Sequence, residues 1–217
     1  MGMVPYHPML ALQHERHRLV RDGLIEDTLF LLQHPPVITL GRNARGEHVR
    51  ADAPVLRGRG IEVVSTRRGG DVTYHAPGQI VGYPIVRLRV REQDVRRFVF
   101  HLEELLIRTV SDFGISARRI ESLRGIWVGD AKLAAIGVRL ARWTTMHGFA
   151  LNVDLDLSGF DLIVPCGIRD RGTTSLAALL GVAPPRAEVE DRLAFHAGDV
   201  LQRDVYEGAA SAWTMAT

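Results

Sequence analysis

The sequence predicts a domain of the α/β or α+β class, in which a mixed β-sheet is flanked by helices. Three β-like segments follow one another with only short polar turns between them, at 125–130, 132–142 and 146–154. Apolar residues recur with a helical period over 94–114. Strands and helices alternate along the rest of the chain, without an internal repeat or a low-complexity linker, which favours a mixed sheet.

The length and the composition predict one catalytic-sized domain over 1–217, with a helical C-terminal segment at about 181–217. A chain of 217 residues, 46% hydrophobic and 24% charged, has enough apolar residues for a single core. Further divisions of the chain are not indicated.

In the N-terminal half, each element has a local signal. A helical pattern covers 8–22 and ends at Gly23, a suitable residue after a helix. Residues 27–42 predict two buried strands separated by the turn at Pro35-Pro36. Residues 41–60 are polar and glycine-rich, which indicates a loop with at most one short helix. Strands are then expected at 61–66, in the second part of 67–79, and at 80–88.

In the C-terminal half, Asp94 is the expected N-cap of the helix at 94–114, which Gly114 closes. The three β-like segments follow. An apolar stretch at 160–168 leads to a Pro-Cys-Gly turn. A short capped helix is expected at 173–181 and a final amphipathic helix at 186–206.

The charge and the cysteine content limit the class of partner. The formal net charge is +2, and the basic residues form no consecutive block, so the sequence predicts no nucleic-acid binding. The mild excess of positive charge favours an acidic protein partner. No apolar run approaches the roughly 20 residues that span a bilayer. A single cysteine and the lack of a signal-peptide pattern predict a cytoplasmic protein.

Two residues, Cys166 and Lys132, are candidates for nucleophilic chemistry. Lys132 is the only lysine among 27 Lys and Arg residues, and an amine can lose a proton where a guanidinium cannot. Cys166 lies between a proline and a glycine, which can present a thiol on a turn. A nearby amine can take the thiol proton, because the thiolate is the attacking form. A buried structural cysteine and an exposed strand-end lysine remain the alternatives.

Two further stretches concentrate polar and glycine residues. The stretch 67–79 contains adjacent glycines, which let a ligand approach main-chain amides, and arginines, which suit an anionic or carbonyl group. The stretch 144–154 contains His147 and Asn152 as possible supporting residues. No combination of histidine, cysteine and acidic residues has the spacing of a metal site, so no metal is predicted.

Four stretches in order, RRGGDVTYHAPGQIVGYP, GIWVGDAKLAAIG, RWTTMHGFALNVD and IVPCGI, resemble the octanoyltransferases of lipoate biosynthesis, the lipoate-protein ligase B family. HPPVITLGR near the N-terminus also agrees, and the similarity extends over about 25–180. The resemblance implies a fold like that of the biotin- and lipoate-protein ligases.

The resemblance also implies an activity, which is transfer of an octanoyl group from acyl carrier protein to a lysine of a lipoyl domain, without ATP or a metal. It implies that Cys166 carries the acyl group as a thioester and that Lys132 is its proton-transfer partner. The expected acceptors are the lipoyl domains of 2-oxoacid dehydrogenase complexes and the glycine cleavage H protein. The substrate-contacting residues implied are Arg68, Gly69, Gly70, Asp71, Val72, Thr73, Tyr74, His75, Ala135, Ile136, Gly137, Gly148, Phe149 and Ala150.

One position departs from the family. The chain has Ala76 where the family usually has glycine, so we expect ordinary backbone angles at this residue. The alternatives left open are an ATP-dependent lipoate or biotin ligase, a hydrolase, transfer of acyl groups between two protein domains, and a non-enzymatic arginine-rich binding module.

Overall fold

The computed structural model describes residues 1–164, 171–208 and 213–216. Its helices are α1 (Tyr6–Arg21), α2 (Ala53–Gly58), α3 (Val95–Ser111), α4 (Leu176–Leu180) and α5 (Arg186–Leu201). In this part of the chain no helix is long and apolar enough to cross a membrane.

The described strands form a large antiparallel sheet and a small mixed one. The strands are β1 (Asp27–Leu32), β2 (Val37–Leu40), β3 (Glu62–Ser65), β4 (Val72–His75), β5 (Gln79–Ile85), β6 (Arg118–Ile120), β7 (Leu123–Val128), β8 (Ala131–Ala141), β9 (Thr144–Asn152), β10 (Asp204–Glu207) and β11 (Trp213–Ala216). The large sheet has the order β10-β11-β1-β5-β9-β8-β7-β6, and the small sheet has the order β3-β2-β4, with β2 and β3 parallel.

The large sheet is covered by helices on both faces. Leu29 and Leu31 of β1 belong to the core cluster that includes residues of α3 and α5. Phe30 and Leu32 alternate with them and belong to the cluster that includes Met9 of α1. Because both faces are covered, β1 is buried at every position, which explains its continuous apolar run.

Local signals in the sequence agree with the helix ends. The Asp94 side chain accepts hydrogen bonds from the backbone amides of Arg96 and Arg97, which confirms the predicted N-cap of α3. Gly23 and Gly114 have the positive φ expected after a helix. The two strands around Pro35-Pro36 are present, but β1 lies in the large sheet and β2 in the small one.

The C-terminal region differs from its prediction. Helix α5 ends at Leu201, whereas the sequence predicted helix to residue 206 and a helical segment over 181–217. Gln202 has a φ of 53°, so the chain leaves the helix there. Strands β10 and β11 follow, and β11 pairs with β1, which extends the large sheet. β6 was also not predicted.

The alanine that departs from the family causes no backbone strain. Ala76 is not among the non-glycine residues that have positive φ in the described chain, as expected. The positive φ of this turn falls on Gly78, at +88°. Ala76 is buried in a core cluster with Tyr74 and Leu155.

Candidate active site

Two groups of three predicted substrate-binding residues, 135–137 and 148–150, lie directly opposite each other. Strands β8 and β9 are antiparallel, with Ala135 opposite Ala150, Ile136 opposite Phe149, and Gly137 opposite Gly148. The two triplets come from separate motifs in the sequence, and the register of one strand pair brings them together.

The paired residues 135–137 and 148–150 form one wall of a pocket that opens to solvent. The glycine-rich stretch supplies further lining residues, as do β5 and the first turn of α1. We call this space the central pocket. It is lined by Tyr6, Arg68, Gly70, Thr73, His75, Val81, Tyr83, Ala135, Ile136, Gly137, His147, Gly148, Phe149 and Ala150.

The two faces of β4 have different environments. Thr73 and His75 line the central pocket. Val72 and Tyr74 belong instead to the hydrophobic core of the small sheet, where the Tyr74 ring lies 5.7 Å from that of Phe160. This division follows from the two-residue period of a strand, since neighbouring side chains lie on opposite faces.

The glycine-rich stretch at 67–79, which we call the glycine-rich loop, is held against β8. The Gly69 amide donates to the carbonyl of Val138 at 2.8 Å. A Cβ on Gly137 would lie 2.9 Å from the carbonyl oxygen of Gly69, so β8 needs glycine at this approach. The Arg68 guanidinium, 7% exposed, donates to the carbonyl of Thr39 at 2.6 Å and to its Oγ1. These contacts fix the loop at the mouth of the pocket.

Aromatic and histidine side chains lie in and beside the central pocket. His34 Nδ1 donates to the carbonyl of Val4 at 2.6 Å, and His34 Nε2 accepts from the Tyr83 hydroxyl at 2.8 Å. Burial lowers the pKa of His34 to about 4, and it lowers the pKa of both His75 and His147 to about 3. These rings are therefore neutral at pH 7.

His147 has two unusual features. Its φ is 58°, in the left-handed region, and its buried Nδ1 has no hydrogen-bond partner among the described residues. Its backbone amide donates to Gln13 Oε1 of α1 at 2.9 Å. The residue predicted as a possible support therefore lines the central pocket and is bonded to α1 through its backbone.

Hydrogen bonds connect the central pocket with the strand that carries Lys132. His75 Nδ1 donates to Gln79 Oε1 at 2.7 Å, and Gln79 Nε2 donates to Asn152 Oδ1 at 2.9 Å. Asn152 Nδ2 then donates to the carbonyl of Thr174, whose amide donates to the carbonyl of Lys132 at 3.0 Å. Asn152 is thus a hydrogen-bonded link between the two.

Lys132 is 7% exposed and lies at the start of β8, after the turn at Gly129. Its Nζ lies 4.8 Å from the centre of the Trp127 ring, a cation–π contact with a buried aromatic. Lys132 lines a second space, which we call the lysine cleft. This cleft shares Gly70, Ile136 and Gly137 with the central pocket, so the two are adjacent.

The remaining predicted residues of the glycine-rich stretch, Gly69 and Asp71, line the lysine cleft. Sequence reasoning did not identify His48, which lies in the same cleft and whose Nδ1 donates to Asp71 Oδ2. His48 lies in a polar loop, where nothing in the local pattern marks it. The full lining is Asn43, Arg45, His48, Gly69, Gly70, Asp71, Val95, Val99, Ser122, Leu123, Arg124, Lys132, Ile136, Gly137 and Val138.

Cys166 lies outside the described residues, so its role stays a prediction. The chain on each side of 165–170 is described. The Val164 amide donates to the carbonyl of His48 at 2.7 Å, and the Lys132 amide donates to the carbonyl of Gly172 at 2.9 Å. The residues before and after this segment therefore contact two residues of the lysine cleft.

Sequence reasoning also missed Tyr6, Val81 and Tyr83 of the central pocket. Val81 and Tyr83 lie two apart on β5, on the face that the pocket uses, but β5 is apolar at nearly every position and gives no alternating signal. Within 1–164, 171–208 and 213–216, no group of three or more His, Cys, Asp or Glu side chains is arranged to hold a metal ion.

Comparison with known structures shows the fold. A putative lipoate protein ligase from T. acidophilum, solved with bound lipoic acid, superposes with a TM-score of 0.74 at 16% identity over 93% of this chain and 84% of that one. A lipoate-protein ligase A bound with ATP gives a TM-score of 0.73 over 92% and 83%. The predicted fold class, with its likeness to lipoate ligases, is confirmed.

Comparison with known sequences shows the family. Residues 5–197 match the Lipoyl protein ligase A/B catalytic domain. An octanoyltransferase of Chloroflexus aggregans is 55% identical over 196 residues, 89% of either chain. An octanoyltransferase of Solibacter usitatus is 47% identical over 212 residues, 98% of this chain and 96% of that protein. A domain match over most of the chain, together with relatives this similar, means that the chain belongs to the octanoyltransferase family of lipoyl protein ligase A/B catalytic domains.

Proposed function

We propose that the protein transfers an octanoyl group from octanoyl-acyl carrier protein to a lysine of a lipoyl domain, through a thioester on Cys166. The observation that carries the proposal is the pairing of residues 135–137 with 148–150 around a pocket that adjoins Lys132. Relatives that are named octanoyltransferase, at 55% and 47% identity, support the same reaction.

The central pocket suits a saturated acyl chain. Val81, Ala135, Ile136, Phe149 and Ala150 provide apolar lining, and the histidines beside them are neutral at pH 7. Each methylene taken out of water contributes about 0.8 kcal/mol. An eight-carbon tail therefore gains binding energy against this apolar lining.

The first half of the reaction exchanges one thioester for another. The Lys132 amine takes the proton of the Cys166 thiol, and the thiolate attacks the acyl carbonyl of octanoyl-acyl carrier protein. A C–S bond forms to Cys166 and the C–S bond to pantetheine breaks. Lys132 then returns the proton to the pantetheine thiolate, so this half of the reaction releases no net proton.

The second half makes an amide. The neutral amine of the acceptor lysine attacks the Cys166 thioester, so that a C–N bond forms and the C–S bond breaks. Lys132 takes a proton from the attacking nitrogen and passes it to the leaving thiolate. A thioester already holds the energy needed for an amide, so ATP and a metal are not needed. The acceptors we propose are lipoyl domains of 2-oxoacid dehydrogenase complexes and the glycine cleavage H protein.

The test is incubation of the protein with octanoyl-acyl carrier protein in the absence of ATP, followed by intact-mass analysis. We expect the mass of one octanoyl group to be added, and to be lost when a lipoyl domain is supplied. Cys166→Ala is expected to form no adduct. An adduct that persists in Cys166→Ala would place the acyl group elsewhere.

The rival function is an ATP-dependent lipoate ligase, because the solved structures with this fold include one bound with ATP. It predicts modification of a lipoyl domain from free octanoate and ATP. Transfer from the carrier protein without ATP, and no reaction of free octanoate with ATP, would separate the two functions.

A further inference from the structure

We propose that His48, held by Asp71, is a second catalytic base, which takes the surplus proton of the acceptor lysine during amide formation. This inference rests on the proposed transfer reaction and adds a residue to it. The proposal starts from a hydrogen-bonded pair in the lysine cleft that the reaction described above does not use.

The geometry sets the tautomer of His48. Its Nδ1 contacts Asp71 Oδ2, and a carboxylate oxygen accepts, so Nδ1 carries the proton. In the neutral ring, Nε2 then has the lone pair that a base needs. The side chains of His48 and Asp71 are each only 12% exposed, so the ring is held in one orientation.

The surroundings of the pair are charged on several sides. His48 Nε2 lies 4.0 Å from Glu47 Oε1, and the Glu47 side chain is 66% exposed. Arg45 lies 3.8 Å from the same Glu47 oxygen. Arg124 and Lys132 line the cleft with the pair. Asp71 Oδ1 is buried without a hydrogen-bond partner among the described residues.

The proton balance of the two half-reactions shows why a second base is needed. Thioester exchange releases no net proton, so Lys132 alone is enough for it. A free lysine side chain has a pKa of about 10.4 and arrives as an ammonium. Amide formation then converts an ammonium and a thioester into an amide, a thiol and one free proton. Lys132 can pass one proton from the acceptor nitrogen to the leaving thiolate, and the other must go to water or to a second base.

His48 lies where it can take that proton. It shares the lysine cleft with Lys132, and its carbonyl oxygen accepts from the amide of Val164, two residues before Cys166. Its Nε2 takes the proton of the ammonium and passes it to water at the exposed Glu47 side. Asp71 acts as a positioning residue, because it fixes the ring and stabilises the imidazolium that forms.

The experiment measures the two half-reactions separately. Octanoyl-enzyme is formed from octanoyl-acyl carrier protein and isolated, and its single-turnover transfer to a lipoyl domain is followed by rapid quench and intact mass. For His48→Gln we expect octanoyl-enzyme to form within about twofold of the wild-type rate, and transfer at pH 7 to be slower by about 100-fold. Raising the pH is expected to narrow this gap, because the acceptor then arrives as a free amine. For Asp71→Asn we expect a smaller loss in the same half-reaction.

Two further measurements separate catalysis from structure. Added imidazole is expected to restore transfer in His48→Ala, which a purely structural role would not allow. The matched control is His196→Gln, since His196 Nε2 also bonds an aspartate, Asp112 Oδ2 at 2.8 Å, but lines neither pocket. This control is expected to transfer at the wild-type rate.

Transfer by His48→Gln at the wild-type rate at pH 7 would overturn the role of His48 alone. Equal slowing of both half-reactions, without imidazole rescue, would also overturn it. If the wild-type protein forms no octanoyl-enzyme, the proposed function fails, and the role of His48 fails with it.

Discussion

Gly137 of β8 lies directly opposite Gly148 of β9, and neither position has room for a side chain. A Cβ on Gly148 would lie 2.2 Å from the carbonyl oxygen of Gly82 on the next strand, and one on Gly137 would lie 2.9 Å from the carbonyl oxygen of Gly69. This glycine pair lets β5 and the glycine-rich loop both approach the wall of the central pocket.

Gly148→Ala should therefore destabilise the fold. The added methyl must push β9 away from Gly82, and overpacking of this kind costs about 1–3 kcal/mol. Urea unfolding measures the loss. Gly58→Ala is the control, because a Cβ there meets nothing within 4 Å and its φ is not positive. Equal stability of the two variants would contradict the close approach of β5 and β9.

Lys132→Arg tests proton transfer by the amine. Arginine keeps the positive charge but cannot lose its proton, so turnover should fall by about 100-fold or more with the fold intact. Octanoyl transfer and thermal melting are measured together. Arg118→Lys is the control, since this exposed side chain lies in the same region, 3.9 Å from Asp130. Near-normal turnover by Lys132→Arg would rule out the role.

Ala135→Leu tests whether the central pocket holds the acyl chain. The larger side chain fills part of the pocket beside Ala135 and Ala150. The rate of octanoyl transfer should therefore fall more than the rate of transfer of a shorter butanoyl group. The measurement is the ratio of kcat/KM for the two acyl donors. Ala141→Leu at the far end of β8 should leave the ratio unchanged, because Ala141 does not line the pocket. An unchanged ratio in Ala135→Leu would place the chain elsewhere.

Acid should destabilise the protein through its buried histidines. Burial lowers the pKa of His75 to about 3 in the folded state, against an ordinary value of 6.5 for histidine. Between these values the unfolded chain binds more protons, so stability is present above about pH 6.5 and is lost as the pH falls towards 3. For His75 alone, the loss between pH 7 and pH 5 is about 2 kcal/mol.

The check is urea unfolding at pH 7 and pH 5 for the wild-type protein and for His75→Gln. The variant should lose less stability between the two pH values. His7→Gln is the control, because the His7 side chain is 62% exposed. Parallel loss of stability in all three proteins would show that His75 is not buried in its neutral form.

Local signals predicted most of the fold. The apolar periods and the caps of α3 and α4 depend on neighbours within a few residues, as with Ser175, whose Oγ accepts from the amide of Ala178. The end of α5 was missed because the apolar pattern continues past Leu201, whereas Arg203 is buried with Asp27 of β1. That ion pair joins residues far apart in the chain, and no window of sequence contains both.

In the candidate site, too, sequence reasoning missed residues whose contacts join distant parts of the chain. The resemblance identified residues 135–137 of β8 and 148–150 of β9, and the antiparallel register of the two strands explains why they meet. His48 was missed because its contact with Asp71 spans 23 positions of the sequence. Tyr83 was missed because its strand is buried on both faces, which removes the alternation that marks a pocket-facing side chain.

The burial of Lys132 has a consequence for an enzyme that handles activated acyl groups. The sequence contains no second lysine, and this one is 7% exposed beneath the surface. The amino group of Met1 donates to the carbonyl of Leu31 at 2.7 Å. In the proposed transfer reaction, the described surface would therefore offer stray thioesters no exposed lysine to acylate in place of the acceptor domain.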